Sequence, residues 1–78
     1  MRTRKWAIEY VASALWDKAS MEGMDEACRI FQQINNDEGF TIDYRPKGIP
    51  NGHWLRVEGV HLTPKEMERA IVLAKTLP

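Results

Sequence analysis

A chain of 78 residues in which 44% of side chains are apolar and 28% charged has the make-up of one small folded domain, which excludes a disordered tail or a fibrous repeat. Its formal net charge is zero, and that weighs against a protein whose main work is gripping phosphate backbones. A chain this short removes only about 60–65% of its unfolded surface from water, so its core is thin and a second subunit is a common source of added stability.

From Arg4 to Ala19, the residues Ile8, Val11, Ala12, Leu15 and Ala19 recur at helical spacing and predict a first helix over 4–19. Trp6, Tyr10 and Ala14 form a second apolar row, displaced around the helix, and Trp16 borders the other edge of a polar strip of Glu9, Ser13 and Ser20. A helix that is apolar around most of its circumference wants cover on more than one side. Trp16 is expected to be mostly buried, with Trp6 and Trp54 at least partly exposed.

Gly23 interrupts this pattern, and Asp25 is the expected cap of a second helix over 25–35, with Ala27, Ile30, Phe31 and Ile34 as its stripe. Asn35, Asn36 and Gly39 then supply residues that readily end a helix. One long bent helix in place of two is the alternative. Alternation of Phe40, Ile42 and Tyr44 with Thr41, Asp43 and Arg45 predicts a strand over 40–45, and Leu55 and Val57 mark its partner over 53–59. The connection over 46–52, with its prolines and glycines, is irregular, and Asn51-Gly52 is its sharpest turn.

A complete helix start follows at Leu62-Thr63-Pro64-Lys65-Glu66-Met67. Thr63 and Glu66 have capping-box spacing, Pro64 stands where its missing N–H costs nothing, and Leu62 and Met67 flank the box as a hydrophobic staple. The third helix is predicted over 64–76, with Met67, Ala70, Ile71, Ala74 and Leu77 inward. The fold class is therefore α+β, one domain over 1–78 in the order α-α-β-β-α. A two-stranded hairpin is marginal alone, so Phe40, Ile42, Tyr44, Leu55 and Val57 are expected to pack on the second and third helices.

Catalytic and metal chemistry find little footing. Cys28, the only cysteine, lies near a helix start that Asp25 and Glu26 surround with negative charge, which disfavours the thiolate a nucleophile needs. His53 and His61 are separated by eight residues, roughly 26 Å of extended chain, too far to share an ion. Placing Gly39 at the sixth position of a calcium loop puts Ile34 where an aspartate belongs. No phosphate-binding, zinc-protease or hydrolase motif is present. The expectation is a non-enzyme without cofactor or metal.

Two surfaces remain. Trp6 and Tyr10, behind Arg2, Arg4 and Lys5, together with Trp54, are the candidate protein interface, because Trp and Arg dominate interface centres. Arg45, Lys47, His53, Trp54 and Arg56 interleave cations with an aromatic and form the alternative, a polar or nucleic-acid contact. A third reading takes the acidic residues of 19–43 as a phosphate mimic, but Asp37, Glu38 and Asp43 fall away from the second helix. The lone cysteine and the lack of a membrane-length apolar run or secretion signal lead to a cytoplasmic expectation. The preferred function is a small protein-interaction module, an accessory subunit, adaptor or inhibitor of the kind phages and mobile elements encode, homodimeric or bound to another protein. The second choice is a nucleic-acid-binding regulator using the hairpin.

Overall fold

Five elements follow one another as α1 (Arg4–Glu22), α2 (Met24–Asp37), β1 (Phe40–Tyr44), β2 (Leu55–Val60) and α3 (Pro64–Thr76). They come from a computed structural model that describes residues 3–44 and 55–78, with side chains left aside at 42–44 and 55–58. Three helices and one antiparallel two-stranded hairpin make a small, mostly helical domain in the expected order. The loop over 46–52, with its Asn51-Gly52 turn, and the expected strand residues Arg45, His53 and Trp54 lie outside the described residues.

Helix α1 is the hub. Thr3 caps it, its Oγ1 accepting the Trp6 N–H at 3.0 Å, and the helix runs on to Glu22, three residues past the expected end at Ala19. Its stripe of Ala7, Ile8, Val11, Ala12 and Leu15 is buried, and both α2 and α3 pack on it, whereas α2 and α3 touch each other little. Ala27, Ala70 and Ala74 are almost fully buried on the facing helices, and side chains that small let the backbones approach closely.

Gly23 alone separates α1 from α2, so there are two helices and not one bent helix. Its φ of 89° is a conformation that few other residues accept. Asp25 is not the cap: Gly23 holds that position without a side-chain bond. Asp25 and Glu26 instead sit in the first turn, where negative charge complements the helix dipole. The phase of α2 also differs from expectation. Ala27 is buried and Phe31 half-buried, but Ile34 is exposed and Asn35 takes the inward place.

The end of α2 feeds the hairpin through a tight passage. The N–H groups of Glu38 and Gly39 both donate to the Ile34 carbonyl, at 3.1 and 3.0 Å. Gly39, at φ 75°, then lies so close to β2 that a Cβ there would stand 2.9 Å from the Val60 carbonyl oxygen and 3.0 Å from the His61 ring. Phe40 is buried, its ring 5.4 Å from that of Phe31. The ladder pairs Tyr44 with Leu55, Asp43 with Arg56 and Ile42 with Val57, then slips so that Phe40 faces Val60. Gly59, at φ 73°, provides the extra residue of this bulge. Without it Val60 would turn away from the face of Phe40; with it, Val60 is half-buried against the core. The strand thereby extends to Val60, one residue past expectation.

The hairpin meets α2 at its base, where the Phe40 ring packs on that of Phe31, a residue of the expected stripe. Among its described side chains, Phe40 and Val60 pack into the core. The packing of Ile42, Tyr44, Leu55 and Val57 lies outside the described side chains.

The short connector from β2 to α3 is held group by group. The Leu62 N–H donates to Asn35 Oδ1 at 2.8 Å, and the Leu62 carbonyl accepts from Asn35 Nδ2 at 2.9 Å. Arg4 donates to the His61 carbonyl at 2.7 Å, and the Thr63 N–H donates to Glu66 Oε1 at 2.9 Å. Glu66 closes the expected capping box with Thr63 and, in addition, receives both Nε and a terminal nitrogen of Arg4. Leu62 and Met67, the staple residues, are both buried.

The Arg4 guanidinium, followed by the Thr63 N–H, holds the Glu66 carboxyl down at about 2, from an ordinary value of 4.5. Because the folded value is depressed, this stabilisation is complete above pH 4.5 and drains away as pH falls toward about 2. Urea unfolding across that interval is expected to show a loss of stability that Glu66→Gln, which keeps a capping amide, flattens. Asn35→Ala strands a buried N–H and a buried carbonyl and is expected to cost about 3 kcal/mol in the same measurement at neutral pH.

Candidate functional site

The outer side of α1 carries the most distinctive surface among the described residues. Trp6, Tyr10 and Ala14 follow one row of the helix, and Glu9, Ser13 and Asp17 the next, each at intervals that return to the same side after a turn. Between them runs an open groove of about 380 Å³. The Trp6 and Tyr10 rings are 5.3 Å apart and tilted by 33°, an offset geometry favoured by their quadrupoles. Tyr10 is 36% exposed. Trp6 is half-buried and packs against the core as well as against Tyr10, so the two expected interface residues are neighbours with different duties.

A second groove, about 320 Å³, shares Ser13 and Asp17 with the first and continues to Trp16, Leu77 and Pro78. Trp16 is 37% exposed, which overturns the expectation of a mostly buried indole. It lies to the side of the buried stripe of Val11, Ala12 and Leu15, and its neighbours across the groove are Leu77 and Pro78, which follow α3. Leu77, expected to face inward, is itself 39% exposed. The two grooves form one strip with aromatics at both ends, carboxylates of Glu9 and Asp17 along it, and no basic residue among its described lining.

The remaining expected residues do not join this strip within the described structure. Trp54, Arg45, Lys47 and His53 lie outside the described residues. Arg56 pairs with Asp43 in the ladder, and its side chain is outside the description. Cys28 is half-buried and packs against the core. His61 is exposed, with Nδ1 3.2 Å from the Gly59 carbonyl. Among the described residues no group of three or more His, Cys, Asp or Glu side chains converges as a metal site would require. No helix among them is long and apolar enough to cross a membrane.

Asp17 was not singled out as part of a site by the sequence, although the row Glu9, Ser13, Asp17 is readable at helical spacing. Val72 and Leu73, exposed on the outer side of α3 beside Arg69 and Glu68, carried no sequence signal beyond their absence from the inner stripe. Glu26 and Arg29 form an exposed pair one turn apart on α2, a contact that contributes little in open solvent. No protein-family profile, characterised protein or solved structure matches the chain.

The unequal burial of the aromatic pair has a measurable consequence. Trp6→Ala is expected to lower stability by about 2 kcal/mol, roughly half the cost of truncating a fully buried indole, whereas Tyr10→Ala stays within about 1 kcal/mol of the parent. Denaturant unfolding monitored by circular dichroism measures both.

Proposed function

We propose that this chain is a small non-catalytic protein-interaction module, acting in the cytoplasm, whose working surface is the outer side of α1. An accessory subunit, adaptor or inhibitor fits this description. The single observation that carries the reading is the aromatic strip from Trp6 and Tyr10 to Trp16 on a helix whose opposite side already forms the core. Large rings left half-covered on a rigid element are what protein interfaces use as anchors, since they contribute much contact area for little loss of side-chain freedom. Further support comes from the scaffold. A groove built on one helix is held in place before a partner arrives, so binding does not have to order it.

The reading also explains why so thin a domain leaves aromatic surface open. Residues that would strengthen the core of an isolated subunit stand instead where a partner completes their burial.

Ser13 tests this surface without disturbing the core, because it is exposed and lines both grooves. Ser13→Arg fills the strip with a long side chain that a helix tolerates. Affinity capture from the native host, quantified by mass spectrometry, is expected to retain at least one protein about tenfold less with the variant than with the parent, at unchanged thermal stability. Identical capture by both chains overturns the reading.

A further inference from the structure

The outer strip of α1 sets aromatic rings beside carboxylates and has no base in its described lining; from this we propose that its occupant is a cationic side chain, arginine or lysine, presented by a partner protein. The inference rests on the reading of this strip as a protein-binding surface and names the chemistry of what binds there.

Two attractions converge on such a group. A cation over the face of an indole or phenol ring is drawn to the negative side of its quadrupole, and Tyr10 and Trp16 both present exposed ring surface at the strip. Glu9 and Asp17 provide the opposite charge. Among the described residues neither has an ion-pair partner: the pairs there are Arg4 with Glu66, Lys18 with Glu22 and Arg29 with Glu26. Asp17 lines both grooves, one together with Tyr10 and the other together with Trp16. Ser13, midway along the acidic row, adds a hydroxyl that can accept from a guanidinium or ammonium group.

The spacing further constrains the partner. Glu9 and Asp17 are eight residues apart on one side of α1, about 12 Å at 1.5 Å per residue. An extended segment matches that distance with two basic residues four positions apart, at ~3.3 Å per residue and on the same side of the chain. A phosphate backbone would meet repulsion on this strip, which separates the proposed occupant from nucleic acid.

The probe is fluorescein-labelled hexa-arginine, which contains that spacing, titrated into the full chain at low salt and read by fluorescence anisotropy. Saturable binding is expected, weakened about tenfold in Glu9→Gln/Asp17→Asn, at the upper range for two exposed ion pairs. It is expected to be unchanged in Asp25→Asn/Glu68→Gln, which removes the same charge from exposed positions away from the strip. No binding, or equal weakening in the two double variants, overturns the proposal, the second result assigning the effect to overall charge. Should hexa-arginine fail to bind while Ser13→Arg still abolishes capture of a host protein, the cationic occupant falls and the surface itself stands.

Discussion

The connector from His61 to Thr63 is the joint on which the three helices close. It is too short and irregular to satisfy its own backbone, and one side chain from each helix does so instead: Arg4 of α1 takes the His61 carbonyl, Asn35 of α2 takes both polar groups of Leu62, and Glu66 of α3 takes the Thr63 N–H. The Leu62 groups are buried, where a peptide group without a partner is costly, so the two Asn35 bonds are worth more than their net contribution in water suggests. The Asn35 amide supplies one donor and one acceptor to a single residue, as a neighbouring β-strand would. It does this where the ladder has ended and no strand is at hand.

Arg4 and Glu66 extend the same joint toward the surface. Glu66 serves two structures at once, completing the capping box of α3 and receiving the guanidinium of α1. The carboxylate is largely shielded while the guanidinium is open to solvent, so the pair avoids most of the desolvation cost of a fully buried ion pair. Three sequence-distant segments are thereby fixed relative to one another around Leu62, whose side chain then enters the core beside Met67. The hairpin takes its position from the two ends of this arrangement: Gly39, pressed against Val60 and His61, and Gly59, which turns Val60 inward.

How much of this is readable in the sequence follows from the reach of each interaction. The capping box and the α1 stripe are legible because their partners lie within one or two helical turns, where spacing alone identifies them. Asn35 is not. Its amide pairs with a residue 27 positions away, and at the end of a helix the same letter reads as a terminator. Arg4 and Glu66, 62 positions apart, carry no local sign of each other. Gly59 did carry a sign, a lone glycine inside a strand pattern, but a strand expected to end there hides a bulge. Periodicity also places Trp16 beside the buried stripe without saying whether anything covers that flank. The chain beyond α3 decides it, setting Leu77 and Pro78 across a groove from the ring.

The same geometry ties the candidate site to the core. Because α1 is packed on one side by both other helices and locked at its first turn by Glu66, the rows that carry Trp6, Tyr10, Glu9 and Asp17 are fixed in rotation and depth. A helix that could roll would trade its two apolar rows, burying Tyr10 and exposing Ile8. The capping Thr3, the Arg4 clamp and the buried Leu15 prevent that exchange. The rings of the strip are therefore presented by an element packed on both other helices, and a ligand meeting them encounters a surface whose shape was set by the folding of the opposite side.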